Sequence, residues 1–134
     1  MNNRQDIRFD ILAHPITKKN SQNIYTNQKT GRTFIAPSKA YQHYEKTAGW
    51  FINGDLRKLK ISSPVNVKCL YYMPTRRRVD LTNLLEATDD ILVKYGVLED
   101  DNCNIIVSHD GSRVLYDKEH PRTEITISFY DSSP

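Results

Sequence analysis

Apolar and polar residues alternate along three segments of the chain, and alternation of this kind predicts β-strands that bury one face. The segments are residues 7–11, 65–73 and 123–130, and the second has the clearest alternation, as expected of a central strand. A short apolar run at residues 105–107 predicts one further strand. The pattern therefore indicates a sheet assembled from strands that lie far apart in the sequence.

Two shorter segments, residues 24–26 and 32–35, flank a polar stretch that ends at Gly31. Because glycine readily adopts positive φ, this arrangement predicts a peripheral β-hairpin. Residues 108–122 are rich in charged and turn-forming side chains, and we predict a charged loop or hairpin there.

Helical periodicity occurs in two places. Ser38 is the predicted N-cap of a first helix, which stops at Asn53 and Gly54. A second helix is predicted to begin after Asp80 and to end at Gly96, a suitable C′ residue. Its apolar stripe consists of Leu81, Leu84, Leu85, Thr88, Ile91, Leu92 and Tyr95. The order of these elements predicts a single α+β domain over residues 1–134, with two main helices packed on a mixed β-sheet.

The formal net charge of +3 conceals an uneven distribution. Residues 1–79 contain 15 Lys and Arg against 4 Asp and Glu, whereas residues 80–134 contain 4 against 12. This asymmetry suggests a polyanion-binding surface beside an acidic site, although runs of like charge are also common on solvated faces with no specific role. The chain starts without the apolar core of a signal peptide and has no stretch of transmembrane length, so we expect a cytoplasmic protein without membrane contact.

Cysteine and histidine give no sign of a metal or nucleophile site. Cys69 and Cys103 stand far apart, and neither has a second Cys or a His at ligand spacing. The four histidines are equally scattered. The sequence thus argues against a zinc site, a disulfide framework and a nucleophilic triad, and we expect no organic cofactor.

Three arginines, Arg76, Arg77 and Arg78, lie just before Asp80, and a second acidic cluster follows at residues 99–102. Carboxylate oxygens hold Mg²⁺ and arginines hold phosphate, so this combination is what a metal-dependent phosphodiesterase needs. Asp80 is also well placed to cap the second helix through its carboxylate. Both interpretations stay open from the residues alone.

Two polar stripes run along the second helix, and both are predicted to lie off its apolar face. One consists of Asp80, Asn83, Ala87 and Asp90, and the other of Thr82, Glu86 and Asp89. The loop at residues 99–102 returns the chain to the next strand, where it can bring a second carboxylate to Asp80.

These motifs together resemble the RusA-type Holliday junction resolvases. The resemblance rests on Arg-Arg-Val-Asp-Leu-Thr-Asn-Leu at residues 77–84, on Gly-Val-Leu-Glu-Asp-Asp at residues 96–101 and on Pro-Ile-Thr-Lys-Lys-Asn-Ser at residues 15–21. It covers nearly the whole domain, and the joint pattern is far more specific than any of its parts. It implies a RusA-like fold.

The resemblance also implies a small homodimeric endonuclease that uses Mg²⁺, or Mn²⁺ in its place, to resolve four-way junction DNA by paired symmetric nicks in recombination and repair. Such enzymes are typical of bacteriophages and prophages. By motif match, Asp80 and Asp101 correspond to catalytic, metal-binding aspartates and Asp100 to an acidic neighbour with the same roles. Asn83 corresponds to the family asparagine, which we assign to DNA binding.

Two positions depart from the family pattern. Thr82 stands where many members have a second aspartate, and Glu86 stands where the family often has a functional lysine. Because the two residues are an i, i+4 pair, we hypothesise that Glu86 supplies the missing catalytic and metal-binding carboxylate. The alternative is a solvated helix residue with no role.

Cationic residues in two places are predicted to contact DNA. The three arginines precede the metal-binding helix, and at least one of them should bind a phosphate in bidentate fashion. The second place is an exposed basic loop that either follows a phosphate backbone or serves solubility alone, and it contains Lys18, Lys19 and Asn20.

Two other functions stay open. A protein that lost a metal ligand at Thr82 would bind branched DNA without cutting it. A nuclease of the same fold would act on flaps or forks instead of four-way junctions.

Overall fold

The computed structural model describes residues 4–18 and 22–130, with the backbone alone for residues 22–25 and 34–37. The strands are β1 (Ile7–Ile11), β2 (Gln22–Thr26), β3 (Thr33–Pro37), β4 (Val65–Met73), β5 (Ile106–Ser108), β6 (Arg113–Tyr116) and β7 (Arg122–Phe129). The helices are α1 (Lys39–Gly49), α2 (Gly54–Arg57) and α3 (Leu81–Lys94). Among the described residues, no helix is long and apolar enough to cross a membrane.

Strand β4 lies at the centre of a five-stranded mixed sheet. Its odd-numbered residues are buried and its even-numbered residues are half-buried, which is the period of two that its sequence predicts. On one side β7 pairs with it in antiparallel fashion, and β1 pairs with β7 beyond. On the other side β5 and β6 both run parallel to β4, one after the other along its length. Strands β2 and β3 form a separate antiparallel hairpin.

The two longer helices contribute to one apolar core with the buried face of the sheet. Helix α1 begins where the Ser38 hydroxyl accepts a hydrogen bond from the Tyr41 backbone N–H at 3.2 Å. Helix α3 contributes Leu84, Ile91 and Leu92, which are almost completely buried. Burial of such side chains is the main favourable contribution to folding, so the core fixes how α3 lies on the sheet.

A buried pair of hydroxyl groups joins α3 to the central strand. The Tyr71 and Thr88 hydroxyl oxygens lie 2.7 Å apart, and Thr88 donates its own hydrogen to the Leu84 carbonyl at 3.0 Å. Burial raises the pKa of the Tyr71 hydroxyl, which therefore stays protonated and available as a donor. This contact joins the middle of α3 to β4 and so helps to fix the helix, which begins after Asp80, relative to the central strand.

Gly96 ends α3 in the way its sequence predicts. It adopts a φ of +83°, and a Cβ at this position would lie 2.3 Å from the Arg57 carbonyl oxygen. Only glycine fits such a close approach of two backbone segments. The turn directs the chain into Val97 and Leu98, which are buried, and then into the acidic loop.

The predicted α+β class is confirmed, and so are β1, the hairpin, β4 and the start of α3. The prediction for residues 108–122 was wrong, because they contain the edge strand β6, which pairs with β4 and not with a hairpin partner. The first helix ends earlier than predicted, and the Asn53 side chain caps the short α2 instead, accepting from the Leu56 N–H at 2.9 Å. The two polar stripes were also partly wrong, because Ala87 and Asp89 are buried.

Candidate active site

Asp80 occupies the N-cap position of α3 with an extended backbone, φ −83° and ψ 121°. Its carboxylate makes no capping hydrogen bond to the helix backbone. Instead, it accepts a hydrogen bond from the Asn83 side-chain amide at 3.2 Å, and the residue is exposed. The interpretation of Asp80 as a side-chain cap is therefore wrong, and its carboxylate oxygens are left accessible to a ligand.

Asp100 organises the acidic loop that follows α3. Its two carboxylate oxygens accept from the Asp101 backbone N–H at 2.8 Å and from the Asn102 side-chain amide at 2.9 Å. These hydrogen bonds lower the pKa of the Asp100 carboxyl, with the Asn102 contribution the largest. The Asn102 carbonyl accepts from the N–H groups of Ile105 and Ile106, so the loop has a defined shape. Asp101 is exposed on this loop.

The acids of the second half of α3 interact electrostatically with Asp101. Burial is the main cause of the raised pKa of Asp90, and the charges of Asp101 and Glu86 raise it further. Burial likewise raises the pKa of Asp89, with smaller increases from the charges of Asp101 and Asp90. Two predicted site residues, Glu86 and Asp101, thus share Asp90 as a neighbour. No hydrogen bond or ion pair within the described ranges joins the Asp80 carboxylate to the Asp101 loop.

Sequence reasoning missed a buried acid and its histidine partner. Nε2 of His109 lies 3.0 Å from both carboxylate oxygens of Asp89, whose relative exposure is only 9%. This contact lowers the pKa of Asp89 and opposes the effect of burial. The sequence did contain one signal, because Leu85 and Leu92 flank Asp89 at helical spacing and place it beside the core. His109 follows β5, and nothing local predicts its contact with α3.

Lys18 reaches α3 from the segment that follows β1. Its Nζ lies 3.5 Å from an Asp90 carboxylate oxygen, and both side chains are about one-third exposed or more. The pair brings a cation to the acidic side of the molecule, which adds a structural role to the DNA contact predicted for Lys18. Lys19 and Asn20, the other predicted contacts in this loop, lie outside the described residues.

The three arginines are all exposed in the connection between β4 and α3. The guanidinium carbon of Arg76 lies 4.2 Å from the centre of the Tyr116 ring, in a cation–π contact with strand β6. No carboxylate forms an ion pair with Arg76, Arg77 or Arg78 in the part of the chain that the structure describes. Their charge is therefore available to an anionic ligand.

The acids fit a hard divalent cation in their chemistry, because Mg²⁺ prefers oxygen ligands. Within residues 4–18 and 22–130, however, no three His, Cys, Asp or Glu side chains lie close enough together to hold a metal ion. Mg²⁺ commonly binds through one or two carboxylates and completes its shell with water and substrate phosphate. The donor set fits an ion held jointly with DNA and not one held in a closed protein cage.

The carboxylates of α3 and the following loop, together with arginines that have no carboxylate partner among the described residues, are groups suited to binding a phosphodiester and a metal ion. The family model described as Endodeoxyribonuclease RusA matches residues 14–128. The match extends over most of the chain and includes every candidate acid and arginine. The chain belongs to the RusA family.

Individual relatives agree with this assignment. The crossover junction endodeoxyribonuclease of Enterobacteria phage 82 is 37% identical over 81 residues, which are 60% of this chain and 66% of the relative. The protein of the same name from Escherichia coli strain K12 is 35% identical over the same shares of the two chains. That from Aquifex aeolicus is 26% identical over 115 residues, 86% of each chain. The matches to the phage and E. coli proteins thus span just under two thirds of those relatives.

Proposed function

We propose that this protein is a Mg²⁺-dependent endodeoxyribonuclease that resolves Holliday junctions by paired symmetric nicks. The observation that carries the proposal is the charge arrangement around α3. The charges of Asp101 and Glu86 both act on Asp90 of the helix. The three exposed arginines that precede its first turn form no ion pair with a carboxylate among the described residues. Membership of the RusA family, whose named relatives are crossover junction endodeoxyribonucleases, supports DNA junctions as the substrate.

The proposed roles follow from position and accessibility. Asp80 and Asp101 would hold the ion together with a DNA phosphate, and Asp100 and Glu86 would act on it as further carboxylates through bound water. The bound ion would lower the pKa of a water molecule and stabilise the charge that develops on the phosphate. Arg77 and Arg78, which are exposed and unpaired, would hold the phosphates beside the cleaved bond. Asn83 keeps the Asp80 carboxylate oriented through its hydrogen bond.

Selectivity for junctions requires more than one copy of the chain, because contacts with phosphate also bind ordinary duplex DNA. A two-fold dimer would present two basic surfaces at once, and an open four-way junction matches that symmetry. Simultaneous contact neutralises more phosphates than a linear duplex offers to a single surface. We therefore propose a homodimer acting in the bacterial cytoplasm, and the phage 82 relative supports a phage or prophage source.

The direct test incubates the purified protein with a synthetic mobile four-way junction and Mg²⁺, beside a linear duplex of matched sequence. We expect paired nicks at symmetric positions in the junction, ligatable products and no cleavage of the duplex. Asp80→Asn is the control, and it should bind the junction without cutting it. Cleavage of forks or flaps without paired nicks would instead identify a nuclease of other branched DNA.

The Glu86 hypothesis needs its own variant. The charge of Glu86 raises the pKa of Asp90, so Glu86 lies in the acidic group even though it is exposed on α3. Glu86→Gln should lower Mg²⁺-dependent cleavage about tenfold, because the loss of one supporting carboxylate weakens the binding of the ion but leaves the other ligands in place. The hypothesis is wrong if Glu86→Gln cleaves normally while Asp80→Asn is inactive.

A second candidate function is a junction-binding protein without catalysis. Thr82 replaces a family aspartate, and the described residues do not gather three acids around one point. This candidate predicts tight junction binding and no cleavage with either Mg²⁺ or Mn²⁺. The same assay separates it from the nuclease, because binding and cutting are measured on one substrate.

A further inference from the structure

An open groove lies between the arginine segment and the edge strand β6. Residues 75–77 form one wall and residues 114–116 form the other, and the groove encloses about 350 Å³. Pockets that hold small ligands begin at roughly this size. Its lining includes two arginines, Arg76 and Arg77, and one aromatic residue, Tyr116.

The aromatic wall of the groove is held firmly in place. Tyr116 is the last residue of β6 and pairs with Met73 of β4, and the next backbone N–H, that of Asp117, donates to the Met73 carbonyl at 2.9 Å. Tyr116 nevertheless keeps 38% of its surface exposed. The backbone that carries the ring is thus fixed at the edge of the sheet, and the Arg76 guanidinium lies against the ring.

A second arginine–tyrosine stack on the same sheet provides an internal comparison. The guanidinium of Arg122 lies 3.8 Å from the centre of the Tyr72 ring, and it also donates to Asp117 and Glu124, each at 2.9 Å. That stack is neutralised by two carboxylates within the protein. The Arg76–Tyr116 stack has no such carboxylate among the described residues, so its charge and planar surface remain open to a ligand.

We infer that this groove binds one nucleotide that is unstacked from the DNA at the branch point. Its base would stack on the Arg76–Tyr116 pair, and its phosphate would contact Arg77. Planar guanidinium groups and aromatic rings both stack on bases without regard to sequence, and arginine binds phosphate in bidentate fashion. The inference rests on the proposed function, because it needs a DNA substrate with bases free to leave the helix.

The position of the groove suits such a nucleotide. Arg76 precedes Asp80 by four residues, and four extended residues span at most about 14 Å. This length corresponds to about four base steps along one DNA strand. A nucleotide held in the groove would therefore lie within a few steps of the phosphate that Asp80 faces, and a continuous duplex does not offer an unstacked base there.

Photocrosslinking gives a direct test. A four-way junction with 5-iodouracil at one position near the branch point is bound to the whole protein without divalent metal and irradiated, and the crosslinked residue is identified by mass spectrometry. We expect crosslinking at Tyr116 from one or two substituted positions and none from the same bases in linear duplex. Crosslinks that map only to other residues would overturn the inference.

Matched variants test the contribution of stacking. Tyr116→Ala should weaken junction binding and cleavage about fivefold to a hundredfold, the range observed when a base loses an aromatic partner, whereas Tyr116→Phe keeps the ring and should behave like the wild type. Arg76→Lys keeps the positive charge but loses the planar guanidinium group, so this variant should also bind and cleave the junction less well. Tyr130→Ala, which removes an exposed tyrosine at the opposite end of the sheet, should have no effect.

The possible failures can be told apart. If the wild type neither binds nor cuts junctions, the proposed function fails and the groove inference fails with it. If the wild type cuts junctions and Tyr116→Ala and Arg76→Lys cut equally well, the groove inference alone is wrong. Circular dichroism confirms that each variant is folded, and a change in oligomeric state for Tyr116→Ala would assign the groove to a contact between two copies of the chain, which would also overturn it.

Discussion

The arginine segment before α3, here its basic end, and the aspartates in the second half of the helix, here its acidic end, carry opposite charges and differ in their partners. Before the first turn, Arg77 and Arg78 are exposed and have no carboxylate partner in the described part of the chain. In the second half of the helix, Asp89 contacts His109 at 3.0 Å and Asp90 contacts Lys18 at 3.5 Å. The basic end thus keeps its charge for a ligand, whereas Asp89 and Asp90 at the acidic end each contact a partner within the protein.

Asp101 is the exception at the acidic end. It lies near Asp89 and Asp90 but forms no ion pair of its own among the described residues, and it is exposed. The comparison therefore separates the acids by role. Asp89 and Asp90, which contact His109 and Lys18, hold α3 against neighbouring segments. Asp80 and Asp101, which form no ion pair among the described residues, are available to a metal ion.

The largest effect is expected from removing an unpaired acid. Asp101→Asn should lower Mg²⁺-dependent junction cleavage at least about a hundredfold, because the ion contributes several kcal/mol of charge stabilisation in the transition state. Junction binding in the absence of metal should be retained. Asp90→Asn is the matched control and should lower cleavage much less, since Lys18 already neutralises Asp90. Equal losses of cleavage in the two variants would contradict the division of roles.

The next effect concerns stability. His109→Ala leaves the buried Asp89 carboxylate without its described partner, and an unsatisfied buried polar group costs about 1–3 kcal/mol. We expect the free energy of unfolding, measured by urea titration, to fall by that amount. His120→Ala, at an exposed histidine outside this contact, should leave it unchanged. An unaltered urea midpoint for His109→Ala would mean that the Asp89 contact is not structural.

A smaller effect is expected at the basic end of the helix. Arg77→Ala and Arg78→Ala should each reduce the slope of log K against log salt by about 0.9 for the lost phosphate contact. Arg78→Ala should weaken binding to all DNA forms alike, whereas Arg77→Ala should weaken junction binding more than duplex binding, because Arg77 also lines the groove. Lys58→Ala removes an exposed charge elsewhere and should not change the slope. Neither arginine variant should alter the urea midpoint, because unpaired surface charges contribute little to folding.

The smallest effect is a pH dependence in the paired Arg122 cluster. Hydrogen bonds from Arg122 and from the His120 backbone lower the pKa of Asp117 below its ordinary value of 3.8. An acid whose pKa falls on folding adds stability above its unfolded pKa and loses it as the pH drops through the folded value. Asp117→Asn should therefore be slightly less stable than the wild type at pH 7, and the difference should shrink below pH 3.8. A difference that persists unchanged to acid pH would exclude this charge effect.

The sequence was sufficient to predict those helices and strands whose pattern of apolar and polar residues is long and lies within the element itself. The alternation in β4 reports burial of one face directly, and Gly96 marks the end of α3 because only glycine fits against the Arg57 carbonyl. Strand β6 escaped prediction because it is four residues long, has no fully buried residue and is defined by pairing with β4 some 40 residues earlier. Such pairing is a tertiary property that no local pattern contains.

Some residues of the candidate site could likewise be predicted from the sequence, whereas the contacts between distant residues could not. Asp80, Asp101 and the arginines follow from motif and spacing, and the structure places them on the surface where a ligand can reach them. The place of Asp89 between Leu85 and Leu92 indicates that it lies beside the core, but the helical pattern does not give the extent of its burial. Its partner His109 comes from a different strand connection, and the Lys18–Asp90 pair joins residues 72 positions apart.

The two cysteine thiols differ in exposure, so that only one of them can be labelled in the folded protein. Cys69 is completely enclosed in the central strand, and burial raises the pKa of its thiol to about 12. Cys103 is exposed, two residues beyond Asp101. A maleimide dye or nitroxide spin label would thus attach at a single point of the native protein without mutagenesis, giving a spectroscopic reporter beside the acidic loop that can follow Mn²⁺ titration and the arrival of DNA in real time.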